Sequence, residues 1–141
     1  MKNIYISSDH AGFNLKENIK IYLLKKKIKF YDMGPLNNNR CDYPIFAHKV
    51  AKKVNNNKNY IGILVCGSGT GMSVVANKHK NIRAAQCYSE KSTKLSRLHN
   101  DANIITLGSR LITKKEAFKY IDIFIKTKFE GGRHKKRLKK I

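Results

Sequence analysis

Short apolar runs alternate with segments of helical period along the whole chain. Residues 4–7 read as a strand. Residues 13–27 read as a helix striped by Leu15, Ile19, Tyr22 and Leu23, with Lys16, Lys20 and Lys27 on the other side. A second strand is predicted at 28–33, stopped by Gly34-Pro35 and the polar loop Asn37-Asn38-Asn39. The next helix, 44–54, carries Phe46, Ala47, Val50, Ala51 and Val54 on one face. A strand at 60–66, a helix at 71–78, a strand at 82–87, a helix at 89–99 and a strand at 103–107 follow. Thr113 is the expected N-cap of the last long helix, and Glu116 at its third position completes a capping box. That helix is striped by Ala117, Ile121, Phe124 and Ile125.

Five β/α alternations with short links imply an α/β fold, a parallel sheet with helices on both faces, because parallel strands need crossover connections. No repeat or linker divides the chain, so residues 1–141 are expected to form one domain. The tail differs. Glu130-Gly131-Gly132 breaks the pattern before a basic run, Arg133 to Lys140.

Composition narrows the classes. A chain of 141 residues can bury a real core, and 41% hydrophobic residues without Trp are ordinary for a soluble protein. No apolar stretch approaches the roughly 18–20 residues of a membrane helix. The chain enters directly as a strand at Asn3, so no signal or transit peptide is expected. Three cysteines, at 41, 66 and 87, neither pair evenly nor show close metal spacing, which points to a reducing compartment, the cytoplasm.

The formal charge is +21, from 30 Lys+Arg against 9 Asp+Glu. That surplus raises a nucleic-acid or anionic-substrate reading. Lysines are spread over nearly every predicted helix, however, and no zinc-finger, RNP-like or helix-turn-helix pattern is present. Specific nucleic-acid binding is therefore not expected, whereas faster capture of small anions is.

The strand at 60–66 empties into Cys66-Gly67-Ser68-Gly69-Thr70-Gly71, and a helix begins where that loop ends. A glycine-spaced strand-to-helix loop leaves backbone N–H groups free to meet an anion or a developing oxyanion. A thiol at this junction is placed where the thiolate is favoured. On the residues alone, a tight turn around a packed cysteine is an equally good account. Ligands of open parallel sheets belong at the strands' carboxyl ends, near a switch in strand order. Asp9 and His10, Tyr43, Cys66 to Gly71, and Gly108-Ser109-Arg110 all follow predicted strands or their loops.

Several motifs recur here in one order: Ser8-Asp9-His10-Ala11-Gly12, Asp42-Tyr43-Pro44, the Cys66–Gly71 loop, Ala76-Asn77-Lys78 and Ile82-Arg83-Ala84. Downstream stand Leu98-His99-Asn100-Asp101-Ala102-Asn103, Leu107-Gly108-Ser109-Arg110 and Phe129-Glu130-Gly131-Gly132-Arg133-His134. Over residues 3 to 138 this combination resembles the family of ribose-5-phosphate isomerase type B, which also includes galactose-6-phosphate and allose-6-phosphate isomerases. The resemblance implies a Rossmann-like α/β/α fold, an obligate homodimer with shared active sites, and no metal or organic cofactor. Pairing of dimers into tetramers stays open.

The implied reaction moves a carbonyl between C1 and C2 of a phosphorylated sugar. It needs a base for a carbon-bound proton, a stabiliser for the enediolate, and a means of opening the ring. By resemblance Cys66 is the base. In another branch a glutamate stands where this chain has Met72, which cannot take a proton. The amides of Gly67 to Gly71 (Gly67, Ser68, Gly69, Thr70 and Gly71) would form the anion hole, with the Ser68 hydroxyl donating to a sugar oxygen and helping to move protons between O1 and O2. His99 would open the ring, Asp9 would hydrogen-bond sugar hydroxyls or assist the ring oxygen, and Tyr43 and Asn100 would line the sugar site. Arg110, Arg133 and Arg137 would grip the phosphate, with His10 and His134 nearby. One subunit would supply the Cys66 loop and its partner the histidine and some phosphate ligands. Isomerisation of a six-carbon phosphosugar remains the alternative; a basic nucleic-acid-binding module is a more distant one.

Overall fold

The computed structural model describes residues 2–141. The chain runs β1 (Asn3–Ser8), α1 (Phe13–Lys25), β2 (Phe30–Asp32), α2 (Tyr43–Asn55), β3 (Tyr60–Cys66), α3 (Thr70–Ala76), β4 (Ala84–Gln86), α4 (Glu90–Asn100), β5 (Ile104–Gly108), α5 (Lys114–Lys126) and α6 (Gly132–Leu138). All strand pairings are parallel, in the order β2-β1-β3-β5-β4. This is the expected Rossmann-like three-layer α/β/α arrangement. Among the described residues no helix is long and apolar enough to cross a membrane.

Side-chain alternation along the strands sorts the core into two layers. Ile4 and Ile6 of β1, Ile61, Ile63 and Val65 of β3, and Ile105 and Leu107 of β5 face α1 and α5. The intervening positions, Tyr5, Leu64, Cys66 and Ile104, face α2 and α3. Each fully buried Ile or Leu contributes about 1.5–3 kcal/mol relative to exposure. Cys66 thus belongs to the layer under α3, at the last position of its strand.

The outer strands are shorter than the hydrophobic runs at 28–33 and 82–87 predict. β2 and β4 are edge strands, each pairing three residues with a single neighbour. The Thr113–Glu116 capping box is present, and Ser89 with Ser92 forms a second at the start of α4.

Lys16 departs from its expected place on the polar face of the first helix. Its side chain is wholly buried. Asp32, at the end of β2, accepts from its Nζ at 2.9 and 3.0 Å, Pro35 O accepts at 2.8 Å, and Glu17 lies 3.1 Å away. The helix's own pattern cannot reveal this, because the counter-charge arrives from a strand sixteen residues on.

The chain leaves β1 sideways to β2 and resumes on the opposite side with β3. The helices that follow β1 and β3 therefore pack on opposite faces of the sheet, and a crevice opens between the strands' carboxyl ends.

Candidate active site

A cavity of about 320 Å³ occupies that crevice. β1 delivers Asp9 and His10 to it, the start of α2 delivers Tyr43, the β3–α3 loop delivers Cys66, Gly67, Ser68 and Gly71, and the turn after β5 delivers Arg110. Ala11 and Leu111 complete the wall. Small apolar wall residues beside a predicted site carry no signal in a single sequence.

Cys66 is 5% exposed, and its Sγ accepts a hydrogen bond from Gly69 N–H at 3.1 Å. Gly69 is left-handed, with φ +79°, a conformation that only glycine takes without strain. The loop amides divide into two sets. Gly69 N–H is directed at the sulfur, and Thr70 N–H is directed at Ser68 Oγ at 3.2 Å. The N–H groups of Gly67, Ser68 and Gly71 have no acceptor among the described residues. The set of free amides is therefore narrower than the run of glycines suggests, and Gly69 and Thr70 are not among the residues that line the cavity.

The neighbouring side chains are braced. Asp9 is buried and its Oδ1 accepts from Gly12 N–H at 2.9 Å, so it holds the turn into α1 while lining the cavity. His10 Nδ1 lies 3.1 Å from Cys41 O and 3.3 Å from Cys41 N, which tethers the ring in either tautomer. The Tyr43 ring lies against Gly71, within 2.8 Å of where a Cβ would stand. Arg110 Nη1 approaches the same point on Gly67 at 2.9 Å. The other two cysteines are free, and burial pushes both thiols up.

The remaining predicted residues form a second group. His99 and Asn100 end α4, and Arg133, His134 and Arg137 lie on α6. The His99 and His134 rings stack with centroids 4.2 Å apart and planes 13° from parallel. His134 is 5% exposed, and its Nε2 has no partner among the described residues. Burial first, then the nearby His99 ring and the Arg133 guanidinium, hold His134 below the ordinary histidine value. Arg133 and Arg137 are exposed, one helical turn apart. Arg97 donates to Asp101 Oδ1 at 2.9 Å, and Arg83 Nε donates to Asn100 O at 2.8 Å, so the turn after His99 is pinned from two sides.

His99, Glu130 and His134 bring possible metal-ligand atoms within 4.8 Å of one another. An imidazole lone pair lies in the ring plane, and two rings stacked face to face do not aim at one ion. The stacked geometry does not suit a metal centre.

These two groups do not meet within one chain. Cys66 pairs with Gly108 at the carboxyl end of β5, whereas α4 runs back to the amino end of that strand before Ile104. Five strand residues separate the two edges by on the order of 15 Å. The cavity wall accordingly contains Asp9, His10, Tyr43, Cys66 and Arg110 but none of His99, Asn100, Arg133, His134 or Arg137.

Comparison with known proteins gives a consistent result. Residues 4–141 match the Ribose/Galactose Isomerase family. The chain is 40% identical to ribose-5-phosphate isomerase B of Escherichia coli, over all of this chain (100%) and 95% of that protein. A crystal structure of a ribose 5-phosphate isomerase from Thermotoga maritima is 46% identical, with TM-score 0.96 over 99% of this chain and 96% of the other. Ribose-5-phosphate isomerase B from Mycoplasma genitalium, solved with bound ribulose-5-phosphate, is 45% identical, with TM-score 0.94 over 98% and 92% of the two chains.

Proposed function

The chain belongs to the ribose/galactose isomerase family, and from that premise we propose that it interconverts D-ribose 5-phosphate and D-ribulose 5-phosphate through an enediolate, as a step of pentose phosphate metabolism. The observation that carries this reading is the Cys66 sulfur at the cavity, held by one amide beside three amides that are free.

The chemistry follows from that arrangement. With the sugar opened to its aldehyde, the Cys66 thiolate takes the proton on C2. Electrons of that C–H bond form the C1–C2 double bond, and negative charge develops on O1. The free N–H groups of Gly67, Ser68 and Gly71 meet that charge, a contribution of about 3 kcal/mol per preorganised donor in the transition state. The Ser68 hydroxyl carries a proton between O2 and O1. The cysteine then returns its proton to C1, giving the ketose. No electron leaves the substrate, so these steps call on no redox cofactor.

Ring opening and phosphate binding need the second group of residues, and in this reading a second copy of the chain brings them. The partner's His99 opens the ring, assisted by Asp9. The partner's Arg133 and Arg137, with His134 nearby, join Arg110 and His10 around the phosphate, while Tyr43 and the partner's Asn100 line the sugar. Guanidinium forks match the phosphate oxygens geometrically, which lysine does not. The protein acts as a cytoplasmic homodimer of single-domain subunits, and its charge of +21 speeds the arrival of a dianionic substrate.

The test is direct conversion by purified protein with a chelator present. Ribose 5-phosphate turns over with higher kcat/KM than allose 6-phosphate or galactose 6-phosphate. Preference for a six-carbon substrate would reassign the substrate, and no turnover of any of the three would overturn the reading.

A further inference from the structure

We propose that Gln86 is a positioning residue for the catalytic sulfur, and that it works by gripping one peptide group of the Cys66 loop from the edge strand β4. The inference rests on Cys66 being the base. Gln86 ends β4, opposite Thr106 of β5, and belongs to none of the motifs that carry the family resemblance.

Both ends of its amide are used. Gln86 Nε2 donates to Ser68 O at 2.7 Å, and Gln86 Oε1 accepts from Thr70 Oγ1 at 3.2 Å. The Ser68–Gly69 peptide is trans, so its C=O and N–H point in opposite directions. Its oxygen is held by Gln86, and its N–H is the group that reaches Cys66 Sγ at 3.1 Å. One peptide plane therefore links the glutamine on one side to the sulfur on the other.

The plane needs holding. A glycine with φ +79° can exchange this conformation for others at little cost, and rotation of the peptide would swing the N–H away from the sulfur. The grip on Ser68 O opposes that rotation, and the bond from Thr70 ties the same amide to the first residue of α3. Since the thiolate is the form stabilised by an N–H donor, loss of the grip acts on the proton-transfer step rather than on sugar binding.

Two substitutions separate this role from a structural one. Gln86→Met keeps the length and removes the amide; Gln86→Lys restores a donor for Ser68 O but cannot accept from Thr70. Gln86→Met is expected to lower kcat about tenfold, the effect of one ordinary hydrogen bond, with KM within about twofold. Gln86→Lys recovers most of the loss. Alkylation of Cys66 by iodoacetamide at fixed pH, followed by mass spectrometry, requires the thiolate and slows in the Met variant by a similar factor. A Met variant with wild-type kcat, a change confined to KM, a Lys variant as impaired as the Met one, or unchanged or faster alkylation would each overturn the proposal. The alkylation comparison needs no turnover, so absence of isomerase activity would sink the functional reading alone.

Discussion

Cys66 and His99 stand at opposite edges of the sheet, one at the carboxyl end of β3 and the other in the last turn of α4. If both serve one reaction, two chains must build each site. Cys66→Ala and His99→Asn homodimers are then each impaired for different reasons. Mixed and reassociated, half the dimers carry one variant of each kind, and each of those has one site with both residues intact. Activity should return to about a quarter of wild type for a two-fold symmetric dimer with shared sites. Steady-state assays before and after mixing check this, and no recovery would place both residues' work within one chain.

Cys66→Ser probes the proposed base alone. A hydroxyl fits the same space but does not ionise near neutrality, so kcat should fall about 10³-fold, within the usual range for general-base loss. Circular dichroism and the melting temperature should stay near wild type, because the side chain keeps its place and size. Retained turnover would remove the sulfur from the mechanism.

How far the site could be read from the chain depended on where each signal lay. The strands, the helices and the capping box at Thr113 follow from local period and end chemistry, and the structure has them. The two edge strands were overestimated because apolar runs do not tell whether a neighbour exists on each side. Lys16 looked like a solvent-facing lysine because its partner Asp32 lies in another element. Gln86 was invisible for the same reason: its role comes from the β4–β5 pairing, which puts it beside a loop eighteen residues away. The run of glycines in the Cys66 loop was legible, but which amides point outward is a matter of φ at Gly69 and of the Ser68 hydroxyl.

Arg137 separates binding from chemistry. Replacement by lysine keeps the charge and loses the fork, so KM for the phosphorylated substrate should rise about tenfold while kcat changes little. Any slow conversion of unphosphorylated ribose should be unaffected. A fall in kcat with constant KM would instead place Arg137 near the reacting carbons.

The Lys16–Asp32 contact predicts how stability depends on pH. Burial opposes ionisation of Asp32, but hydrogen bonds from Lys20, Lys16 and Gly34 N–H outweigh it and hold the carboxyl below the usual carboxylate range. The folded chain then binds fewer protons than the unfolded chain between the two values, so stability rises with pH across that window. The contribution is complete above the unfolded value of about 4 and is lost as pH falls through the folded one. Asp32→Asn at neutral pH leaves a fully buried ammonium with only Glu17 as counter-charge, a cost of about 3 kcal/mol. For a domain of this size that is a drop of about 10 °C in Tm. Lys16→Met should cost much less, since it removes the buried charge itself while Asp32 keeps Lys20 at 2.6 Å. Thermal melts of the three proteins from neutral to acid pH check the sign: the gap between wild type and Asp32→Asn should close on acidification, and a constant gap would mean that packing, not charge, makes the difference.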